Sequence, residues 1–166
     1  VNSIRQRLAH VVDWVNANEP DVLALQEIKT EASKFPLAEI EATGYRCVLD
    51  GQKAYNGVAL LSRDEPGDVA TGIPDFGDDQ RRVIAATYGG TRVINVYVPN
   101  GQSVDSDKYQ YKLRWYAALA AMVRAAAQSC ALASLSAYER LSIHLARAPT
   151  GTLDRPTEAL AAALEQ

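Results

Sequence analysis

Apolar residues recur at two spacings over the first 128 positions, and the switches between the spacings mark out the elements. Ile4, Leu8, Val11, Val12 and Val15 lie three or four apart, so Ile4–Asn18 is predicted to be a helix with one apolar face. Ser3 stands where an N-cap belongs, and Pro20 closes the segment. Asp21–Gln26 is a short run of mostly apolar residues. A strand apolar on both faces belongs to a sheet covered on both sides. Phe35–Ala42 is predicted helical, ending near Gly44, and Tyr45–Leu49 and Gly57–Ser62 are predicted strands around a turn at Gly51. Arg82–Tyr88 and Arg92–Val98 are joined by Gly89-Gly90, a strong signal for a short hairpin. Lys108–Gln128 is a long helical pattern with Leu113, Tyr116, Leu119, Ala120 and Val123 facing inward. Strands mixed with helices and no internal repeat indicate an α/β layered domain over residues 1–128.

The pattern changes after Gln128. Residues 129–166 are dominated by Ala, Leu, Ser, Arg and Pro and show no convincing strand. They form a distinct Ala-rich tail, with an amphipathic helix expected over Ser134–Arg147 through Leu135, Tyr138, Leu141 and Leu145. A second helix is expected over Pro156–Leu164.

Composition narrows the class without naming a function. The chain has 166 residues, 48% of them hydrophobic, which suits a soluble globular domain able to bury a sizeable core. Cys47 and Cys130 are far apart, with no CxxC spacing and no histidine cluster, so two ordinary thiols of a reducing compartment are expected. No apolar run reaches the ~18 residues of a membrane span. No signal peptide is visible, and because the chain opens on Val1, a true N-terminus is expected to precede it. The net charge of −3 argues against a protein held on DNA by bulk positive charge, but it leaves room for a few basic residues on one face.

Three segments could carry chemistry. Glu27 follows the first predicted strand, at the sheet edge where α/β proteins commonly bind ligands. Its carboxylate suits either a solvated strand end or a hard divalent cation such as Mg2+, with Lys29 beside the same charge or a phosphate. Asn95-Val-Tyr-Val-Pro-Asn-Gly101 puts Tyr97 and Asn100 at a strand end and turn, either as ordinary turn residues or as a phenol and an amide facing a phosphate. Asp79-Gln-Arg-Arg82 brings two guanidinium groups into a strand. Their fork geometry suits phosphate oxygens, although paired arginines are also common on solvated surfaces.

The order of short segments is more telling than any one of them. Val1-Asn-Ser-Ile-Arg5, Pro20-Asp-Val-Leu-Ala-Leu-Gln-Glu-Ile-Lys29, Gly51-Gln-Lys53, Tyr55-Asn-Gly-Val-Ala-Leu-Leu-Ser-Arg63, Asp79-Gln-Arg-Arg-Val-Ile84, Tyr97-Val-Pro-Asn-Gly101 and Ser106-Asp-Lys-Tyr109 occur in that order. Together they resemble the bacterial exodeoxyribonuclease III family of abasic-site endonucleases, within the endonuclease/exonuclease/phosphatase superfamily. The Gly-Gln-Lys, Gln-Arg-Arg and Tyr-Val-Pro-Asn-Gly elements point to the DNA-repair branch rather than to a phosphodiesterase of the same fold with another substrate. The resemblance implies the first half of a four-layer α/β sandwich and a cytoplasmic enzyme dependent on Mg2+ (or Mn2+). Its partner would be double-stranded DNA with abasic sites or 3′ ends. It implies a metal-binding role for Glu27 and active-site roles for Tyr97 and Asn2. It further implies DNA contacts for Arg5, Lys29, Arg82 and Asn100.

The same resemblance sets out what the chain is expected to lack. The family's long helix is followed by an apolar strand ending in Gly-Asp-Phe-Asn or close to it, and later by Ser-Asp-His. Here Gln128 is followed by Ser-Cys-Ala-Leu-Ala-Ser-Leu, no Gly-Asp-x-Asn occurs, and His144 has no Asp before it. Loss of a general base alone removes on the order of 10²–10⁴-fold in rate. The chain is therefore expected to be an inactive half, or a remnant that binds DNA weakly through Arg5, Lys29 and Arg82. One sheet without its partner would also leave an apolar face open to self-association. An Ala/Ser/Arg/Pro-rich tail is what out-of-frame reading of a GC-rich gene produces, so a shifted frame near Gln128 is expected.

Overall fold

A computed structural model describes residues 1–133 and 140–146. Among these residues seven strands and three α-helices follow one another as α1 Ile4–Asn18, β1 Val22–Gln26, α2 Leu37–Glu41, β2 Arg46–Asp50, β3 Val58–Ser62, β4 Gly67–Thr71, β5 Val83–Tyr88, β6 Thr91–Tyr97, α3 Asp107–Ala133 and β7 Arg140–Ala146. A 3₁₀ turn at Ala32–Lys34 precedes α2. The strands form two sheets, ordered β1-β3-β2 and β4-β5-β6-β7.

Four layers result from how the strands alternate. In β3 every residue is buried, because Val58 and Leu60 face the other sheet while Ala59 and Leu61 face the helices. The inner core joins Val58 and Leu60 to Ile84, Ala86, Tyr88 and Val93, with Val22, Ala24 and Val48 packed against it. Outside the first sheet, Val11 and Val15 of α1 and Ile40 of α2 cover Leu25, Ala59 and Leu61. Outside the second, Trp115, Tyr116, Leu119, Ala120 and Val123 of α3 cover Val83, Ala85, Ile94 and Val96. Each fully buried Leu, Ile or Val contributes about 1.5–3 kcal/mol, so the layers hold chiefly by this burial. The expectation of a single sheet with an uncovered face is thereby corrected. Both sheets are present and their apolar faces close on each other, which removes the premise for self-association through an open face.

Apart from β4, which the sequence reading does not contain, the elements from α1 to α3 match it to within a residue or two at most ends. The β5–β6 hairpin turns at Gly89 and Gly90, with Tyr88 paired to Thr91 and φ of +52° and +82° at the glycines. Two positive φ values suit a tight turn that a residue with a side chain resists. Three details differ. Ser3 precedes α1 but its side chain makes no cap; its N–H instead donates to Glu27 O at 2.8 Å. Leu113 is 37% exposed, and the neighbouring Trp115, 1% exposed, fills the core position instead. β4, Gly67-Asp-Val-Ala-Thr71, has no buried residue, and it forms by pairing its backbone with β5.

The tail brings the largest correction. Residues 140–146 are a strand, not part of a helix, and they run parallel to β6 with Thr91 opposite Arg140 and Tyr97 opposite Ala146. Leu141, Ile143 and Leu145 alternate with Ser142 and His144, which is the period of two that a strand needs. A spacing of four between Leu141 and Leu145 also fits a helix, but Ile143 between them fits only the strand. α3 also continues to Ala133, past Gln128. The helix expected over Pro156–Leu164 lies outside the described residues.

Candidate functional site

Glu27 and Lys29 are presented by a backbone that departs from the strand. Both have left-handed φ, +54° and +53°, on either side of Ile28, which is wholly buried under α1 and α2. Ile28 N–H donates to Gly57 O at 3.2 Å and Lys29 N–H to Asn56 O at 3.0 Å, while Ser3 N–H and Ile4 N–H reach Glu27 O and Ile28 O. A Cβ on Gly57 would lie 2.5 Å from Ile28 Cγ1, so the close approach requires glycine. Asn2, Ser3 and Asn56, which flank this segment, are left-handed as well, at +51°, +77° and +48°. Five non-glycine residues in a conformation costing on the order of 1 kcal/mol or more each mark this edge as one the surrounding contacts hold in place.

The side chains that meet here come from distant parts of the chain. Tyr97, the last residue of β6, donates its hydroxyl to Glu27 Oε1 at 2.6 Å. Lys29 Nζ lies 3.7 Å from the same Oε1 and donates to Asn2 Oδ1 at 2.6 Å. The buried Arg82 guanidinium stands over the Tyr97 ring, 5.1 Å from its centre, and donates to Tyr97 O at 3.2 Å. Asn95, two residues before Tyr97, ties the sheets together directly behind Glu27. Its Nδ2 donates to Leu25 O and Ala59 O, both at 3.0 Å, and its Oδ1 accepts from Gln26 Nε2 at 2.6 Å.

Tyr97 is a phenol here, not a phenolate. Burial, and then the hydrogen bond to Glu27, push its pKa from 10.0 up to about 12, against a smaller opposing pull from Arg82. A raised pKa means that the folded state favours the protonated form. The stabilisation is present below pH 10.0 and is lost as pH rises towards about 12. Absorbance titration at 295 nm is expected to show a tyrosine ionising in that window, and Glu27→Gln is expected to move that step downward. A titration unchanged by the substitution would refute the pairing.

Five of the seven residues singled out from the sequence are thus joined in one cluster: Glu27, Tyr97, Asn2, Lys29 and Arg82. Asn100 is exposed, its Oδ1 taken by Gln102 N–H at 2.9 Å, and it lines a polar recess with Arg82, Lys108 and Tyr111 beside the cluster. Arg5 is exposed on α1, and among the described residues no hydrogen bond or ion pair joins it to the others. Gln80, Asn56 and Gln52 were not read as site residues. Their motifs were visible, but the hydrogen bonds that link them to Arg82 arise only on folding.

Among the described residues no three His, Cys, Asp or Glu side chains gather into a metal-binding group. Glu27 and Asn2 nevertheless offer hard oxygens, and the Lys29 ammonium lying against both shows that the pair accommodates positive charge. Mg2+ keeps most of its waters and commonly takes only one or two carboxylates plus substrate phosphate, so this chain's share fits such an ion.

A profile of the Endonuclease/Exonuclease/phosphatase family matches residues 1–135. The chain belongs to this family. Among its relatives within the family, exodeoxyribonuclease III of Haemophilus influenzae is 38% identical over 125 residues, covering 72% of this chain and 47% of that protein. A 3′ phosphatase from Neisseria, solved bound to a product DNA hairpin, superposes with a TM-score of 0.78 at 45% identity, over 87% of this chain and 54% of that one. An AP endonuclease from Archaeoglobus fulgidus gives 0.72 at 47% identity, over 74% and 48%. The chain thus spans about half the length of the family members it matches. No helix of the described residues is long and apolar enough to cross a membrane.

Proposed function

We propose that this chain carries the N-terminal half of a Mg2+-dependent DNA-repair nuclease that hydrolyses phosphodiester bonds at abasic sites and 3′ ends of duplex DNA. We propose further that the chain alone is not a competent catalyst. The observation that carries the reading is the Tyr97 hydroxyl bonded to the Glu27 carboxylate at 2.6 Å, at a strained edge shared with Lys29 and Asn2. In this reading Glu27 holds the metal, with Asn2 beside it. The bound ion would neutralise charge on a phosphate oxygen and on the departing 3′-oxygen.

The chain's own residues position and neutralise. Tyr97 keeps its proton at neutral pH, and the hydrogen bond it gives Glu27 would hold that carboxylate in place for the ion. Lys29 and Arg82 supply positive charge beside Glu27 and Tyr97, and Asn100 borders the polar recess that Arg82 also lines. Preformed donors of this kind stabilise developing negative charge without rearranging. Glu27 is already committed to Tyr97 and Lys29, so a water-activating base is a separate requirement that this cluster does not meet.

The test is incision of a synthetic abasic duplex with Mg2+, read beside binding of the same duplex, for the chain and for Glu27→Ala. Mg2+-enhanced binding that Glu27→Ala removes, with incision at background in both, is the expected result. Absence of any Mg2+-dependent binding overturns the nuclease reading. Incision that disappears with Glu27→Ala overturns the claim of inactivity.

A further inference from the structure

Three short motifs meet behind Arg82. Gln52 Oε1 accepts from Arg81 N–H at 2.8 Å and from Asn56 Nδ2 at 3.2 Å. Asn56 Nδ2 also donates to Gln80 Oε1 at 3.2 Å. The same Gln80 oxygen accepts from Arg82 Nε at 3.0 Å and from Nη2 at 2.8 Å, while Nη1 donates to Tyr97 O. Two edges of the guanidinium therefore rest on neutral oxygens.

A buried guanidinium is ordinarily paired with a carboxylate. Among the described residues none lies within ion-pair distance of Arg82. Asp78 lies beyond ion-pair distance and acts on Arg82 only at longer range: its carboxylate accepts from Gln80 N–H at 3.0 Å and from Tyr111 OH at 2.5 Å, and the Tyr111 side chain also meets the guanidinium. An amide oxygen satisfies the geometry of the fork without cancelling the charge, whereas a carboxylate in its place would compete with any anion.

We propose that Gln80 is a positioning residue that anchors Arg82 through an uncharged acceptor, so that the guanidinium charge remains available to a DNA phosphate at the Glu27–Tyr97 edge. The phosphate part rests on the nuclease reading given above; the anchoring does not. Gln80→Glu keeps the shape and the hydrogen bonds but adds a negative charge against Arg82. Gln80→Leu keeps the charge of the site but removes the anchor.

The measurements are fluorescence anisotropy of a duplex bearing an abasic-site analogue across a salt series and the arginine Nε–H resonances, with urea midpoints to establish that each variant is folded. Gln80→Glu is expected to weaken binding about tenfold, as for loss of one charge-assisted contact. It is also expected to flatten the slope of log K against log salt by about 0.9. Gln80→Leu is expected to preserve that slope while the Arg82 Nε–H signal loses its protection from exchange. A Gln80→Glu variant that binds with wild-type affinity and slope overturns the phosphate role, and an unchanged Arg82 signal in Gln80→Leu overturns the anchoring. A wild-type chain with no salt-dependent duplex binding overturns the nuclease reading and the phosphate role together, while the Arg82 resonance still decides the anchoring.

Discussion

Replacing Asn95 by leucine is expected to lower the stability of the fold by about 3 kcal/mol, seen as a lower urea midpoint at unchanged slope. Asn95 is fully buried and serves three partners in the opposite sheet: Leu25 O, Ala59 O and Gln26 Nε2. Leucine has similar volume, so cavity formation contributes little, and the cost is that of polar atoms left without a partner. Each such atom costs about 1–3 kcal/mol when fully deprived. The two carbonyls belong to paired strands and the Gln26 amide is only partly buried, so the total falls well short of three full penalties. The damage is also local to the site, because Asn95 sets the two sheets in register one strand position from Glu27 and two residues from Tyr97. A variant with an unchanged midpoint would show that the inter-sheet bonds are incidental.

Glu27→Gln is expected to weaken Mn2+ binding by at least about 100-fold, the upper end of what loss of a supporting residue around a metal costs. Electron paramagnetic resonance of free Mn2+ in titrations of the folded chain measures it. Glutamine keeps an acceptor for Tyr97 OH and removes the formal charge, so the substitution isolates charge from shape. Lys29 becomes less well balanced in the variant, which adds repulsion for an incoming cation. Equal Mn2+ affinity in the two proteins would remove Glu27 from the metal site, whatever the family resemblance suggests.

The parts of the fold that were legible in the sequence are those whose own burial writes a pattern. The inward-facing Ile4, Val11 and Val15 of α1, and Tyr116, Leu119, Ala120 and Val123 of α3, recur at helical spacing because each helix covers one sheet. β4 writes no such pattern, since all five of its residues are exposed and only its backbone is used. β7 shows an alternation in the sequence alone, at Leu141, Ile143 and Leu145, but the surrounding Ala and Leu offer a competing spacing of four. The four layers were expected by resemblance. That the second sheet already exists within this chain was not, because sheet membership depends on which strands find each other.

The chain by itself determined its helices, its central strands and its family, because burial on one face imposes a period and because several short motifs in one order leave little else to match. Tertiary structure alone decided which polar groups meet. Glu27, just past the end of β1, and Tyr97, the last residue of β6, are 70 positions apart and at the ends of strands in different sheets, yet their oxygens lie 2.6 Å from each other. A hydrogen bond tolerates only a few tenths of an ångström, and no local preference specifies distances that finely. The packing of two sheets, pinned by a buried asparagine, does so.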